Sequence, residues 1–132
     1  MASIHKELTI EASPDEVWAA LRDWGALHER LVPGFAVDVR LDDGGDRIVT
    51  FFNGAEARER LIDLDEESRR LVWSVVDGPY AHHNGAAQVL AEEDGTTRFV
   101  WVADLLPDEL APITSELMQR GIETVKRTLE AG

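Results

Sequence analysis

The sequence predicts an α+β fold: a curved seven-stranded antiparallel sheet around one long C-terminal helix, with two short helices after the first strand (β-α-α-β6-α). Three observations carry this. A short alternating segment ends at Ile10 and meets a capped helix start at once. Six further alternating segments follow at a spacing near ten residues, separated by turn residues. The C-terminal segment from Pro112 then carries one apolar stripe at helical spacing.

The elements follow in order. Ile4–Ile10 reads as a strand. Ser13 can cap the next helix, Pro14 suits its first position, and Glu16 stands three residues after Ser13, as a capping box requires. That helix runs from Pro14 to about Asp23 with Val17, Leu21 and Trp24 on one face. Gly25 breaks it, and Ala26–Leu31 supplies a second short helix before Pro33-Gly34. Strands are then expected at Phe35–Leu41, Arg47–Phe52, Ala57–Leu64, Arg70–Val76, Tyr80–Ala91 and Thr96–Leu105. Asp43-Gly44-Gly45, Asn53-Gly54, Asp65–Ser68, Asp77-Gly78-Pro79 and Asp94-Gly95 punctuate them. Pro107 ends the sheet, and after a short first turn the last helix runs from near Pro112 to about Glu130. Ile113, Leu117, Gly121 and Val125 form its stripe, widened by Met118, Ile122 and Leu129. Glu116–Arg120, Glu123–Lys126 and Glu123–Arg127 are spaced to pair along its exposed side.

Composition bounds the function. The 132 residues make a single domain, 1–132, large enough to bury a core without staples. Thirteen basic residues stand against 26 acidic ones, a net charge of −13 that repels phosphate backbones and anionic membranes and excludes nucleic acid as a partner. The absence of cysteine excludes disulfides, thiolate metal sites and a cysteine nucleophile, and fits a cytoplasmic protein. No stretch approaches about 18 uninterrupted apolar residues, so no membrane span is expected. His5, Lys6 and Glu7 with no apolar run behind them do not read as a signal peptide.

A long helix needs a hydrophobic partner, and the sheet is the only large one available. A seven-stranded antiparallel sheet twists and curls. One helix cannot fill its concave face, so a central void is expected, of the kind that takes up apolar ligands. Alternation places Leu71, Trp73 and Val75 on one face of their strand, taken as inward. On the next strand it groups His83, Gly85, Ala87 and Val89 against Tyr80, His82, Asn84 and Gln88, and on the last it groups Phe99, Trp101 and Ala103. Gly85 and Ala87 leave room for something. On the fourth strand, parity alone favours Ile62 and Leu64 as the inward pair.

At this point the chain resembles the START-like, or Bet v 1-like, helix-grip superfamily, and within it the polyketide cyclase/dehydrase and lipid-transport (SRPBCC) group. The motifs that carry the resemblance are Ile10-x-Ala12-Ser13-Pro14-x-Glu16-Val17-Trp18, Glu59-Arg60-Leu61 followed by Leu64–Glu67, Leu71–Gly78 ahead of His82-His83-Asn84, and Leu106-Pro107 before the last helix. The plant abscisic-acid receptors share the middle part of this run, but their ligand-gating loop has no counterpart in Asn53–Ala57, so a hormone-receptor function is not implied. The resemblance turns Glu59 and Leu61 inward, in conflict with the parity of Ile62 and Leu64.

The candidate ligand-binding residues are therefore Phe51, Leu61, Trp73, Val75, His83 and Trp101, roofed by Leu117, Met118, Gly121 and Val125. For Trp73 and Trp101, taken singly, a plain core role is the favoured reading, because large aromatics dominate cores. Gly121 reads either as a flaw in the helix or as the place where its backbone approaches ligand or sheet. Glu59 and His83 are the candidate catalytic residues. A carboxyl in an apolar cavity tends to its neutral form, and an imidazole titrates near neutrality. Such a pair supplies the base and acid that cyclisation or dehydration of a poly-β-keto chain needs. The alternative for Glu59 is an ion pair with Arg58, Arg60 or a neighbouring strand. His82 and His83 point oppositely, with His5 and His28 elsewhere, so no metal site is expected; no phosphate loop or Ser/His/Asp signature implies a cofactor or hydrolase.

Three functions follow: binding of a hydrophobic small molecule (a lipid, polyketide or aromatic metabolite), a cyclase or dehydratase working through Glu59 and His83, or a protein-interaction module with a vestigial cavity. An exposed edge strand is compatible with a homodimer.

Overall fold

The computed structural model describes residues 1–132. Its elements are β1 Ala2–Ile10, α1 Pro14–Arg22, β2 Ala36–Leu41, β3 Arg47–Phe51, β4 Glu56–Asp65, β5 Arg70–Val75, β6 His82–Ala91, β7 Thr97–Leu106 and α2 Ala111–Ala131. All seven strands form one antiparallel sheet in the order β1-β7-β6-β5-β4-β3-β2. This is a meander from β2 to β7, with β1 added beside β7, so that β1 and β2 are the two edge strands. The α+β architecture is the expected one.

Local chemistry sets the corners. The Glu16 amide donates to Ser13 Oγ at 3.2 Å and Pro14 opens α1, so the cap forms, although the Glu16 side chain makes no return bond. The second helix is not α-helical. Trp24–Ala26 form a 3₁₀ turn and Leu27–Leu31 a wider π-type turn. Gly25, pressed against the Leu41 side chain, is part of that tight turn. At the other end a 3₁₀ turn, Asp108–Leu110, precedes α2, as Pro112 requires.

α2 lies across the concave face. Met118 packs with Ile4, Ala103 and Leu105, while Ile122 and Val125 join the main core with Ile10, Val17, Leu71 and Phe99. Its C-terminal end is tied to the end of β1: Lys126 Nζ donates to the Thr9 carbonyl at 2.7 Å, and the Glu11 amide to Glu130 at 2.8 Å. The pairings expected for Glu116 and Glu123 with Arg120, Lys126 and Arg127 are replaced by others. Lys126 reaches Glu130, Arg127 reaches Thr124 Oγ1, and Arg120 lies over the Phe52 ring. Ile113, expected on the buried stripe, is 57% exposed at the start of the helix.

The parity conflict on β4 has a geometric answer. The pairing of β4 with β5 runs Glu59 with Val75 and Leu61 with Trp73, then slips between Leu61 and Asp63 so that Leu64 meets Leu71. A bulge at Ile62 adds one residue and resets the alternation. Glu59 and Leu64 therefore both face the core side, and Ile62, 54% exposed, does not.

Candidate ligand-binding cavity

Between α2 and the sheet lies a cavity of about 390 Å³, with 20 hydrophobic residues among the 29 that line it. Its floor is built by alternation. Leu71, Trp73 and Val75 come from β5, His83 and Ala87 from β6, Phe99 and Trp101 from β7, and Phe51 from β3. Leu117, Met118 and Val125 of α2 form the roof. The cavity opens between the β3–β4 turn at Asn53 and Ala55, the loop Asp77–Tyr80, and the first turn of α2 at Leu110, Ile113 and Thr114.

The small residues of β6 explain why the floor is aromatic. Cross-strand rows run Trp73–Gly85–Ala103 and Leu71–Ala87–Trp101. Strands on either side of β6 stand about 9–10 Å apart, yet the Trp73 and Trp101 rings converge to 6.3 Å. They lean over positions that offer no bulk. A methyl group at Gly85 would stand 2.6 Å from Trp73 Cε2, so Trp73 itself fills the room that Gly85 leaves. Ala87 stays on the cavity wall.

Most sequence-predicted residues meet here: Phe51, Glu59, Trp73, Val75, His83, Trp101, Leu117, Met118 and Val125 all line the cavity. Two do not. Leu61 shares the core-side face with Glu59 but sits at the bulge, 38% exposed and away from the cavity. Gly121 is the contact of helix with sheet: a methyl group there would stand 2.9 Å from Trp101 Cζ3 and 3.3 Å from the Phe35 ring. It positions a wall without lining the space.

Glu59 is held by its neighbour. Arg47 Nε donates to Glu59 Oε1 at 2.8 Å, and both side chains are buried. Arg47 Nη1 also donates to the Trp24 carbonyl at 3.1 Å, and the guanidinium stacks 3.7 Å from the Trp24 ring. Burial pushes the Arg47 pKa down, and the Glu59 charge opposes that push. Arg58 and Arg60, the other candidate partners of Glu59, instead hold Asp42 and Asp46 in the β2–β3 turn. Arg47 escaped the sequence reading although parity marks it: Arg47, Val49 and Phe51 share one face of β3, and Phe51 was taken as inward.

Tyr80 was missed for the opposite reason. Alternation from His83 would have turned it outward, but β6 begins at His82, and Gly78 at φ 82° redirects the preceding loop. Tyr80 lines the mouth instead, sharing a 2.7 Å hydrogen bond with Thr114 of α2, with its ring centre 4.9 Å from that of His83 and tilted by 59°.

His83 is 8% exposed, and burial holds its imidazole below the usual histidine value, with the Glu59 charge opposing and His82 adding slightly. The sign follows from linkage. Above about pH 6.5 neither state takes up the proton; as pH falls below that, the unfolded chain binds it and the folded chain resists until its own lower pKa. Stability is therefore expected to fall between pH 7.5 and 5.5, by at most about 1.4 kcal/mol per pH unit from this group. Urea denaturation of wild type and His83→Phe at both pH values checks this: the variant should show the smaller decline, and equal declines would contradict it.

A curved antiparallel sheet closed by one long helix around an apolar cavity defines the helix-grip class of folds. A family model described as polyketide cyclase / dehydrase and lipid transport matches residues 1–131, and the chain belongs to that family. Solved structures of the same architecture include the protein XoxI of Bacillus cereus, with TM-score 0.87 and 20% identity over 98% of this chain and 96% of that one. A Thermobifida fusca protein is similar with TM-score 0.78 and 25% identity over 96% and 91% of the two chains. The di-domain ARO/CYC BexL of the BE-7585A biosynthetic pathway matches with TM-score 0.80 and 18% identity over 98% of this chain and 47% of its own. No curated protein sequence matches this chain. No helix is long and apolar enough to cross a membrane.

Proposed function

We propose that this protein binds a hydrophobic small molecule in the cavity between its sheet and α2. The carrying observation is the cavity itself: about 390 Å³, with 20 of 29 lining residues hydrophobic and an opening at one end. Small-molecule sites fall in the range of about 300–1,000 Å³, mostly apolar with a few placed polar groups. A protein that used only its outer surface would gain more stability by filling such a space.

The geometry favours a container over the Glu59–His83 acid–base pair. A general base must be free to take a proton from substrate, and the Glu59 carboxylate is engaged by Arg47. His83 remains at the cavity, its imidazole pushed by burial toward the uncharged form, a feature that binding uses as readily as catalysis.

Nile red, a neutral apolar dye, tests the reading. Wild type is expected to take it up with a blue-shifted emission, and native mass spectrometry of freshly purified protein to show a co-purifying small molecule. Ala87→Phe puts a ring on the floor beside Trp101 and should weaken dye binding by about tenfold or more while the protein stays folded. Failure of wild type to bind, or undiminished binding by the folded variant, counts against the cavity as the site.

A further inference from the structure

The two edges of the sheet are finished differently. On β1 the Thr9 carbonyl is taken by Lys126 Nζ of α2, and Lys6 stands in mid-strand. A tie to a helix and an edge lysine both blunt an edge against pairing. β2 lacks both devices. The Asp42 amide donates across the hairpin to the Asp46 carbonyl. By antiparallel alternation Arg40 and Asp38 therefore turn their backbone groups to β3, while those of Val39 and Leu41 point outward. Neither Val39 nor Leu41 makes a backbone bond outside the β2–β3 ladder.

The residues along this edge are complementary to themselves. Val37-Asp38-Val39-Arg40-Leu41 carries no net charge on a chain of net charge −13. Set antiparallel to a second copy, with Val39 on the twofold axis, Asp38 stands opposite Arg40 of that copy and Arg40 opposite its Asp38. These are non-hydrogen-bonded positions, where side chains on facing strands come closest. Val39 meets its own counterpart and exchanges two N–H···O bonds with it. Val37 and Leu41, 53% and 57% exposed, meet at each end. Centring the pair on Asp38 or on Arg40 instead would set like charges opposite. Within its own chain Arg40 reaches Glu56 only at 4.0 Å and stays exposed, so its guanidinium is available.

We propose that β2 is a self-association edge, through which two copies of this chain join their sheets by antiparallel pairing centred on Val39. The slip between Ala36 and Asp38 leaves Val37 without a partner on β3 and ends regular pairing there. The contact is thus only about five residues long, and the dimer is a weak one, below the roughly 1,200 Å² of stable interfaces. None of these residues lines the cavity, so the pairing stands independently of the binding function.

Sedimentation equilibrium from about 10 µM to 1 mM is expected to show a monomer–dimer equilibrium. In wild type, amide exchange at Val39 and Leu41 should slow as concentration rises, while that at Asp38 and Arg40, already bonded to β3, stays constant. Asp38→Arg and Arg40→Asp each turn both pairs across the axis into like-charge pairs, and each should weaken association by about tenfold or more. Asp38→Arg combined with Arg40→Asp restores unlike pairs and should recover wild-type association. The two single variants mixed in equal amounts should form a heterodimer, because each supplies the charge that the other lacks. Both positions are exposed, so all variants should melt as wild type does when dilute. A monomer at every concentration overturns the proposal. So does a dimer that ignores the single reversals, or one that neither the swap nor the mixture recovers. Nile red uptake should be equal in monomer and dimer, which keeps this outcome separate from that of the cavity.

Discussion

Glu59→Ala is expected to destabilise the protein by about 3–5 kcal/mol, the largest loss from any polar substitution in the chain. The reason is what it leaves behind. Arg47 is 3% exposed, and its guanidinium is balanced by the one carboxylate of Glu59. An unpaired buried cation has lost its water and gained only the Trp24 carbonyl and ring in return. For a chain of this size the loss corresponds to a drop in Tm of roughly 10–20 °C. Removing both charges together has the opposite logic. Arg47→Met with Glu59→Leu replaces the pair by apolar side chains of similar volume, an exchange that is often neutral or better. Thermal and urea denaturation of the two single variants and the double should therefore show strong positive coupling. Additive losses would mean that the pair is not a unit. The same cycle speaks to chemistry, since a carboxylate whose chief task is to neutralise Arg47 is dispensable once Arg47 is gone.

Why this pair was only half visible in the sequence is instructive. The order of elements was legible because it rests on local signals: turn residues at Asp43–Gly45, Asn53-Gly54 and Asp94-Gly95, the Ser13 cap, and the stripe from Leu117 to Leu129. The inward positions on β5, β6 and β7 were legible for the same reason, since strict alternation needs no long-range information. Alternation failed where the backbone broke its own period. The slip between Leu61 and Asp63 resets the faces of β4, so parity turned Ile62 inward together with Leu64, whereas the resemblance had the face of Glu59 and Leu61 right although Leu61 lies outside the cavity lining. A bulge depends on pairing with β5 and has no residue signature here, as Ile62 is an ordinary strand residue. Tyr80 was lost to a strand start two residues later than expected. Arg47 shares the parity of Val49 and Phe51, yet a charged residue reads as exposed until its partner is known, and that partner, Glu59, lies on the next strand. Gly121 and Gly85 were recognised as small for a reason, yet which ring fills each space is a matter of tertiary packing.

Gly85→Ala is expected to separate binding from folding, with Nile red affinity falling by about tenfold or more while stability changes little. The added methyl would meet Trp73 at 2.6 Å from Cε2 and 2.7 Å from Cζ2, the body of the ring and not its tip. To reach ordinary contact near 3.5–4.0 Å, the indole must move by about 1 Å. The indole lines the cavity, and moving into that space relieves the contact. Over-packing usually costs about 1–3 kcal/mol because nothing can give; here the wall can give, and alanine in a strand interior recovers about 0.5–1 kcal/mol relative to glycine. The cost is thus transferred from the core to the ligand space. Gly121→Ala makes the contrast. Its methyl group would meet Trp101 at 2.9 Å and Phe35 at 3.3 Å, caught between the helix and two rings, so α2 must lift and stability should fall by about 1–3 kcal/mol. Titration with Nile red beside thermal melts for both variants discriminates them. If Gly85→Ala lowers Tm as much as Gly121→Ala and leaves dye affinity unchanged, then the Trp73 ring is fixed core, and the space beneath α2 is not bounded by a wall that a ligand must meet.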